Sequence, residues 1–178
     1  MRSTRTRAAL AFADRHHAGQ RREVDGAPFV THPIEVARML ERAGYPDEVV
    51  AAGVLHDVLE DTDATREELT DEFGETVAEL VDSVTDDPSI EDHRERKAAL
   101  RRQVADAGPD ALAIYAADKV SKARELRMRA SRGPIDEAGR EKLDHYDRSL
   151  ELLEQRLGDQ PLVDQLREEL EAIHALSA

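Results

Sequence analysis

The sequence contains no cysteine, which excludes disulfide bonds and metal sites built from thiolates. Aromatic residues make up only 3% of the 178 residues, so the core must be built mainly from Leu, Val, Ile and Ala. This composition favours helices over a β-sandwich, which uses more aromatic and β-branched side chains. No apolar run approaches the roughly 20 residues of a membrane-spanning helix, and the first residues lack the apolar core of a signal peptide. We therefore expect a cytoplasmic protein that is not bound to a membrane.

Acidic residues outnumber lysine and arginine by 39 to 25, which gives a net charge of −14 with neutral histidines. Nucleic-acid-binding surfaces are rich in basic residues, so this charge argues against DNA or RNA as a partner. An anionic small molecule remains open as a ligand, because it needs only a local basic pocket. The sequence leaves the oligomeric state undetermined.

Apolar residues recur at helical spacing through almost the whole chain, without a convincing alternating strand. The length favours one domain. Glycine, proline and capping residues separate the helices, and the TREE motif from Thr65 predicts a capping box. We expect an all-α, single-domain orthogonal bundle in which the helices of 135–176 pack on the rest. The expected helices cover about 4–17, 33–43, 47–61, 65–74, 75–87, 89–107, 110–130 and two C-terminal segments that separate near Gly158.

The stretch LHDVLEDTD, residues 55–63, combines one histidine with four acids. Taken alone, it fits an ordinary amphipathic helix with a solvated acidic face. The preceding turns, VVAAGVL, are apolar on all sides, as expected of a helix that is buried all round. Charged groups at the end of such a helix need a metal ion or cationic partners, because desolvating each one costs several kcal/mol. The pattern therefore favours a site over a solvated face.

The polar residues of this stretch are spaced to act on one ion. His56 and Asp57 are adjacent, about 100° apart on a helix, so both can reach an ion beside it. Glu60 and Asp61 follow four residues later and can face the same ion from further away. At that distance, carboxylates can orient a water molecule or move its proton.

Further ligands must come from other segments. His32 is a good candidate among the remaining histidines, because it lies beside an apolar pair and just before a helix, in FVTHP. Asp118 follows several small alanines that would let its helix approach a neighbour closely. An isolated aspartate on a helix is more often exposed, so spacing alone ranks Asp118 low.

Four segments together resemble the HD-domain phosphohydrolases, specifically the hydrolase part of the Rel/Spo homologues and the small alarmone hydrolases. They read HAGQRR…GAPFVTHPIEVARML from His17, AAGVLHDVLEDTDAT from Ala51, FGETVAELVDSVTDD from Phe73 and AADK…ARELR from Ala116. They occur in the family's order over about residues 5–150. The resemblance implies an HD-type helical bundle formed by residues 1–178.

The resemblance also implies a metal centre. The family's ligands correspond to His32, His56, Asp57 and Asp118, which raises Asp118 from a weak candidate to an expected ligand. The ion in the family is typically manganese, Mn²⁺. Two imidazoles and two carboxylates do not by themselves select manganese over iron, cobalt or zinc.

The implied reaction is hydrolysis of a guanosine tetra- or pentaphosphate alarmone, (p)ppGpp, at its 3′ side, with release of pyrophosphate. Glu60 and Asp61 match the acidic pair that activates or positions the attacking water. The nucleotide is the expected partner. The candidate substrate-binding residues are Arg22, Glu23, Lys119, Lys122 and Arg124.

Two departures from the family fall among these substrate residues. Glu23 follows Arg22 where the family usually has Lys, and Lys122 stands at the family's Asn position. One hypothesis is that Glu23 and Lys122 pair across the pocket mouth and preserve its charge. Another is that the pocket is rebuilt for a different nucleotide.

Two alternative functions follow. One is an HD phosphatase acting on another phosphorylated nucleotide, including a 2′-phosphorylated dinucleotide cofactor such as NADPH, and releasing orthophosphate. The other is a nucleotide sensor without turnover. We also expect the charged segment EDHRERKAALRRQ, residues 91–103, to be a solvated face, and Tyr146 to favour core packing over closing the pocket.

Overall fold

The computed structural model describes residues 3–177, which form ten α-helices. Within that range the extended pairing is a single isolated bridge between Arg21 and Pro28. No helix in the described range combines the length and apolar character needed to cross a bilayer. The all-α prediction is confirmed. The helices are α1 (Thr4–His16), α2 (Thr31–Arg42), α3 (Asp47–Leu55), α4 (Val58–Asp61), α5 (Arg66–Phe73), α6 (Glu75–Ser83), α7 (His93–Ala107), α8 (Pro109–Ala130), α9 (Glu137–Leu157) and α10 (Pro161–Ser177).

Two helices form the centre of the bundle. In α3 every residue from Val49 to Leu55 is buried, and the helix packs against α1, α2, α6 and α8. The longer α8 contacts α2, α3, α6, α7, α9 and α10. The C-terminal helices α9 and α10 pack on α8 and on each other. Side chains that α2, α3 and α8 direct towards one another therefore meet inside the protein.

Several helix boundaries follow from local capping. The Thr65 hydroxyl accepts from the backbone N–H of Glu68, whose carboxylate accepts from the N–H of Thr65, so the predicted capping box is confirmed. Helix α7 begins four residues later than the pattern predicts, at His93. The reason is the side chain of Asp92, which caps the helix by accepting from the N–H of Glu95.

The single helix predicted through LHDVLED is interrupted, because His56 and Asp57 form a turn between α3 and α4. In a continued helix, the carbonyl of Gly53 would accept from the backbone N–H of Asp57. Instead, this carbonyl lies 2.9 Å from Nδ1 of His56 and accepts from the imidazole. The prediction of one continuous helix is wrong at these two residues, and both face the cluster described next.

Candidate metal centre

Four side chains from three parts of the chain meet inside the bundle, where α2, the end of α3 and α8 come together. His32 comes from α2, His56 and Asp57 from the turn after α3, and Asp118 from α8, and all four are at most 5% exposed. The two Nε2 atoms lie 3.1 Å apart. Oδ1 of Asp118 lies 3.2 Å from Nε2 of His32 and 3.4 Å from Nε2 of His56. The structure thus brings together all four predicted ligands.

Asp57 completes the cluster from the other side. Its Oδ2 lies 3.3 Å from Nε2 of His32 and 3.1 Å from Nε2 of His56. This oxygen and Oδ1 of Asp118 are buried without a well-aligned hydrogen bond from the described residues. Imidazole nitrogens and carboxylate oxygens are common ligands of divalent transition-metal ions. Donor atoms of His32, His56 and Asp118 all lie within 4.8 Å of one another, and Asp57 lies beside both histidines, so the cluster fits a divalent cation.

The charges around the cluster keep both carboxyl groups ionised. Burial acts to raise the pKa of Asp118, but Lys119 and Lys122 outweigh it and hold that pKa well below its usual range. Nζ of Lys119 lies 2.6 Å from Oδ2 of Asp118, and Nζ of Lys122 lies 2.9 Å from Oδ1. Asp57 is similar, because His56 and Lys122 outweigh its burial and lower its pKa.

The carboxylates also act on His56. Burial lowers the pKa of this imidazole, but Asp57 and Asp118 outweigh it and raise the pKa to about 10. A proton on Nε2 and a divalent cation are alternatives at the same position. Binding of such a cation would therefore release a proton.

The two predicted catalytic acids lie in α4, next to the cluster. Burial, together with the charges of Asp57 and Glu60, raises the pKa of Asp61 to about 6. Asp61 lines a cleft that opens in front of the cluster. Oε1 of Glu60 lies 4.0 Å from Nζ of Lys97 on α7. A carboxyl group with a pKa near neutrality is suited to accept and return a proton.

The cleft has a volume of about 660 Å³ and is predominantly basic. Seven lysine and arginine side chains line it, against three acids. In a protein with a net charge of −14, this concentration of positive charge marks a binding place for an anion. Phe29 and Tyr146 add aromatic surface to its walls. The basic residues are Arg21, Arg22, Lys97, Lys119, Lys122, Arg129 and Lys142.

Four of the five predicted substrate-binding residues line this cleft: Arg22, Glu23, Lys119 and Lys122. Glu23 pairs with Arg129 at 2.6 Å, whereas Lys122 forms an ion pair with Asp118. The hypothesis that Glu23 and Lys122 pair with each other is therefore wrong. Asp57 and Asp118 attract the Lys122 ammonium towards the cluster. Glu23 instead contacts Arg129, which lies about two turns further along α8.

Arg124 lies on a different side of α8. It follows Lys122 by two residues, which corresponds to about 200° around a helix. Its guanidinium donates to Glu35 on α2 and to Gln165 and Glu169 on α10. These bonds hold the Arg124 side chain between α2, α8 and α10, outside the lining of the cleft, so the structure does not support the expected substrate contact.

Helix α7 also contributes to the cleft, which the sequence pattern did not predict. His93 and Lys97 line the cleft, although their segment was expected to be a solvated face. The side chain of Lys97 is only 20% exposed, so that prediction is wrong at this residue. The spacing of four between His93, Lys97 and Arg101 would have indicated one shared helix face. Tyr146 is 6% exposed and both packs in the core and lines the cleft.

The comparisons with known proteins agree with this geometry. The sequence profile of the HD domain matches residues 9–159. The chain is 43% identical over 121 residues to the human guanosine-3′,5′-bis(diphosphate) 3′-pyrophosphohydrolase MESH1, and the match covers 66% of this chain and 67% of that protein.

Two solved structures are also similar. One belongs to a metazoan ortholog of SpoT described as hydrolysing ppGpp, with a TM-score of 0.83, 30% identity and 96% coverage of both chains. The other is a Listeria monocytogenes protein with a TM-score of 0.73 and 30% identity, covering 83% of this chain and 98% of that one. With its profile match across most of the chain and a buried His-Asp cluster at the expected place, this protein belongs to the HD domain family.

Proposed function

We propose that this protein is a metal-dependent phosphohydrolase that removes pyrophosphate from the 3′ position of (p)ppGpp alarmones. The observation that carries the proposal is a buried cluster of His32, His56, Asp57 and Asp118 beside a cleft that is lined by His32 of this cluster and by seven basic side chains. The cluster suits a divalent cation, and the cleft suits a nucleotide with several phosphates. The human relative and the metazoan structure carry the same activity in their names, which supports this substrate.

We propose Mn²⁺ as the cation, because of the resemblance to manganese-dependent hydrolases. The same donor atoms also accommodate Fe, Co and Zn, so the ligand set alone does not select one metal. When bound, the cation supplies a Lewis acid that lowers the pKa of water and offsets negative charge on phosphoryl oxygens. His32, His56, Asp57 and Asp118 would hold the cation.

The other residues then have distinct roles. Asp61 is the proposed base: it takes a proton from the water whose oxygen bonds to the phosphorus attached to O3′. As the P–O3′ bond breaks, pyrophosphate leaves and Asp61 can return the proton to O3′. Glu60 supports Asp61 by keeping its pKa high. Lys119 and Arg22, which line the cleft, are the proposed contacts of the phosphate groups.

A second candidate is a phosphatase acting on another phosphorylated nucleotide, such as a 2′-phosphorylated dinucleotide cofactor. The observation that favours it is Glu23, which stands where the related hydrolases usually have lysine. Glu23 places a carboxylate in the cleft and engages Arg129. The outer cleft therefore carries a negative charge where those hydrolases usually carry a positive one, and Arg129 is engaged in an ion pair.

The two functions are separated by their products. Purified protein is stripped of metal, reloaded with Mn²⁺, Fe²⁺, Co²⁺ or Zn²⁺, and incubated with ppGpp, pppGpp, NADPH and GTP. Phosphorus NMR then identifies pyrophosphate for the first function and orthophosphate for the second. Asp118→Asn is the matched control and should lose activity with every metal. Binding of ppGpp without any product would instead support the sensor hypothesis.

A further inference from the structure

A chain of hydrogen bonds leads from His32 away from the cleft. Nδ1 of His32 lies 2.9 Å from Oγ of Ser121, and this hydroxyl donates to Oε2 of Glu35 at 2.8 Å. Nη1 of Arg124 donates to the other carboxylate oxygen of Glu35 at 2.7 Å. Two i,i+3 pairs therefore face each other, His32 and Glu35 on α2 against Ser121 and Arg124 on α8.

The direction of these bonds follows from counting hydrogens. A serine hydroxyl has one hydrogen, and here Ser121 donates it to the Glu35 carboxylate, which can only accept. The oxygen of Ser121 must then accept from Nδ1 of His32. The proton of the imidazole consequently lies on Nδ1, and the lone pair of Nε2 points at the centre of the cluster.

The two histidines are oriented by different means. His56 is oriented by a local hydrogen bond: the carbonyl of Gly53, three residues earlier, accepts from its Nδ1 at 2.9 Å. His32 depends instead on Ser121 and Glu35, which belong to two different helices. Partners of this kind fix the ring of a ligating histidine and raise its basicity.

The chain of bonds ends on the C-terminal helix. Arg124 is held on α10 by Oε1 of Glu169 at 3.0 Å and by Oε1 of Gln165 at 3.1 Å. Glu35 is therefore held by a guanidinium that is itself fixed at two points on α10. Ser121 is fully buried, so no solvent molecule can replace its hydroxyl without rearrangement.

From these contacts we propose that Ser121 and Glu35 are positioning residues for His32, and that Arg124 fixes Glu35 in place. They hold the imidazole with its proton on Nδ1 and so prepare Nε2 to bind a divalent cation. This inference rests on the metal centre of the proposed function. It also gives Arg124 a role in place of the substrate contact that the sequence suggested.

The first test is affinity for the metal alone. Zn²⁺ and Mn²⁺ binding is measured by competition with a chelator in the parent, Ser121→Ala and Glu35→Ala. We expect each substitution to weaken metal binding by roughly 10–100-fold, and Ser121→Thr, which keeps the hydroxyl, to restore most of it. Arg167→Ala is the control, because it removes a contact between α10 and Glu154 but none of the hydrogen bonds that lead from Arg124 to His32. It should leave the metal affinity unchanged.

The second test determines directly which nitrogen of His32 carries the imidazole proton. Long-range ¹H–¹⁵N correlation spectra of the Zn²⁺-loaded parent should show His32 protonated on Nδ1 and metal-bound through Nε2. Metal bound through Nδ1 would overturn the inference even if the variants fail to fold. So would folded Ser121→Ala and Glu35→Ala proteins that bind Zn²⁺ as tightly as the parent. Neither test uses a nucleotide, so absence of alarmone hydrolysis would count against the proposed function alone.

Discussion

Nζ of Lys122 lies 2.9 Å from Oδ1 of Asp118, the same oxygen that lies 3.2 Å from Nε2 of His32. A second carboxylate oxygen, Oδ1 of Asp57, lies 3.6 Å from this ammonium. The chain therefore supplies a cation of its own beside the proposed metal ion, at a position where related hydrolases carry asparagine. Lys122 both repels a divalent ion and adds positive charge for an anionic substrate.

This position gives the first prediction, for Lys122→Asn. Removing the ammonium should tighten Mn²⁺ binding by about tenfold, because the carboxylates lose a competing cation; solvent exposure keeps the effect well below that of a fully buried pair. Chelator competition measures the affinity. Lys142→Asn, which also lines the cleft, is the control and should change the affinity little. Equal affinities for the parent and Lys122→Asn would show that the ammonium does not compete with the metal.

The second prediction concerns the pH dependence of the reaction. Asp61 must be ionised to act as a base, and its pKa is raised to about 6. A bound divalent cation lowers this pKa, so kcat/KM should fall on the acid side at or below about pH 6. Asp61→Asn should reduce kcat by roughly 10²–10⁴-fold and remove this limb of the profile. A variant that keeps the parent's rate and pH profile would exclude Asp61 as the base.

The third prediction concerns the effect of Asp61 on folding stability. Its pKa is about 6 in the folded protein, and the ordinary value is 3.8. The folded state therefore holds the proton more tightly, and ionisation of Asp61 costs stability as the pH rises from about 4 to about 6. In metal-free protein, Asp61→Asn should melt at a higher temperature than the parent above pH 6. The difference should disappear near pH 4, and a difference independent of pH would contradict this assignment.

The fourth prediction concerns Glu23, which is exposed and pairs with Arg129. Glu23→Lys removes a negative charge, frees Arg129 and adds a cation to the mouth of the cleft. The KM for ppGpp should fall by up to about fivefold, the range of an exposed ion pair, and the gain should shrink at high salt.

The double variant Glu23→Lys/Lys122→Asn restores the residues that related hydrolases have at both positions. If these positions set alarmone specificity, it should favour ppGpp over NADPH more strongly than the parent, measured as the ratio of kcat/KM values. A double variant that hydrolyses ppGpp no better than the parent would show that these two positions do not set alarmone specificity.

The fifth prediction concerns the packing of α3 against α2. A Cβ atom at Gly53 would lie 2.4 Å from Cδ1 of Leu40 and 3.4 Å from Cγ1 of Val36. Gly53→Ala should therefore lower the free energy of unfolding by about 1–3 kcal/mol, measured by urea denaturation. Adding Leu40→Val shortens the side chain that clashes, so the second substitution should cost less in the Gly53→Ala background than alone. Additive effects would show that the two side chains do not compete for space.

The parts of this protein that could be predicted from sequence are those decided within one or two helical turns. The capping box of Thr65 and Glu68 involves residues three apart, and its bonds form wherever the helix lies. The turn-by-turn burial of α3 is similar, because VVAAGVL is apolar on every side and can only be accommodated inside. For the same reason His56 and Asp57 could be identified as a site before any partner was known.

Other features required the packed structure. The spacing of Asp118 does not distinguish a buried ligand from an exposed acid, and its family resemblance was needed to rank it. The direction of Arg124, the partial burial of Lys97 and the turn at His56 depend on how α2, α7 and α8 are rotated against one another. A local pattern gives the side chains that share a helix face, but not the helix that this face meets.

The sequence by itself therefore determined the helical fold, most helix ends and, through the family resemblance, the four residues that the structure gathers in one buried cluster. Only the tertiary structure decided the partners of the charged residues: Glu23 with Arg129, Lys122 with Asp118, and Arg124 with Glu35. The physical reason is that helix formation and capping are local, whereas an ion pair forms between whichever opposite charges the packing of distant helices brings within reach.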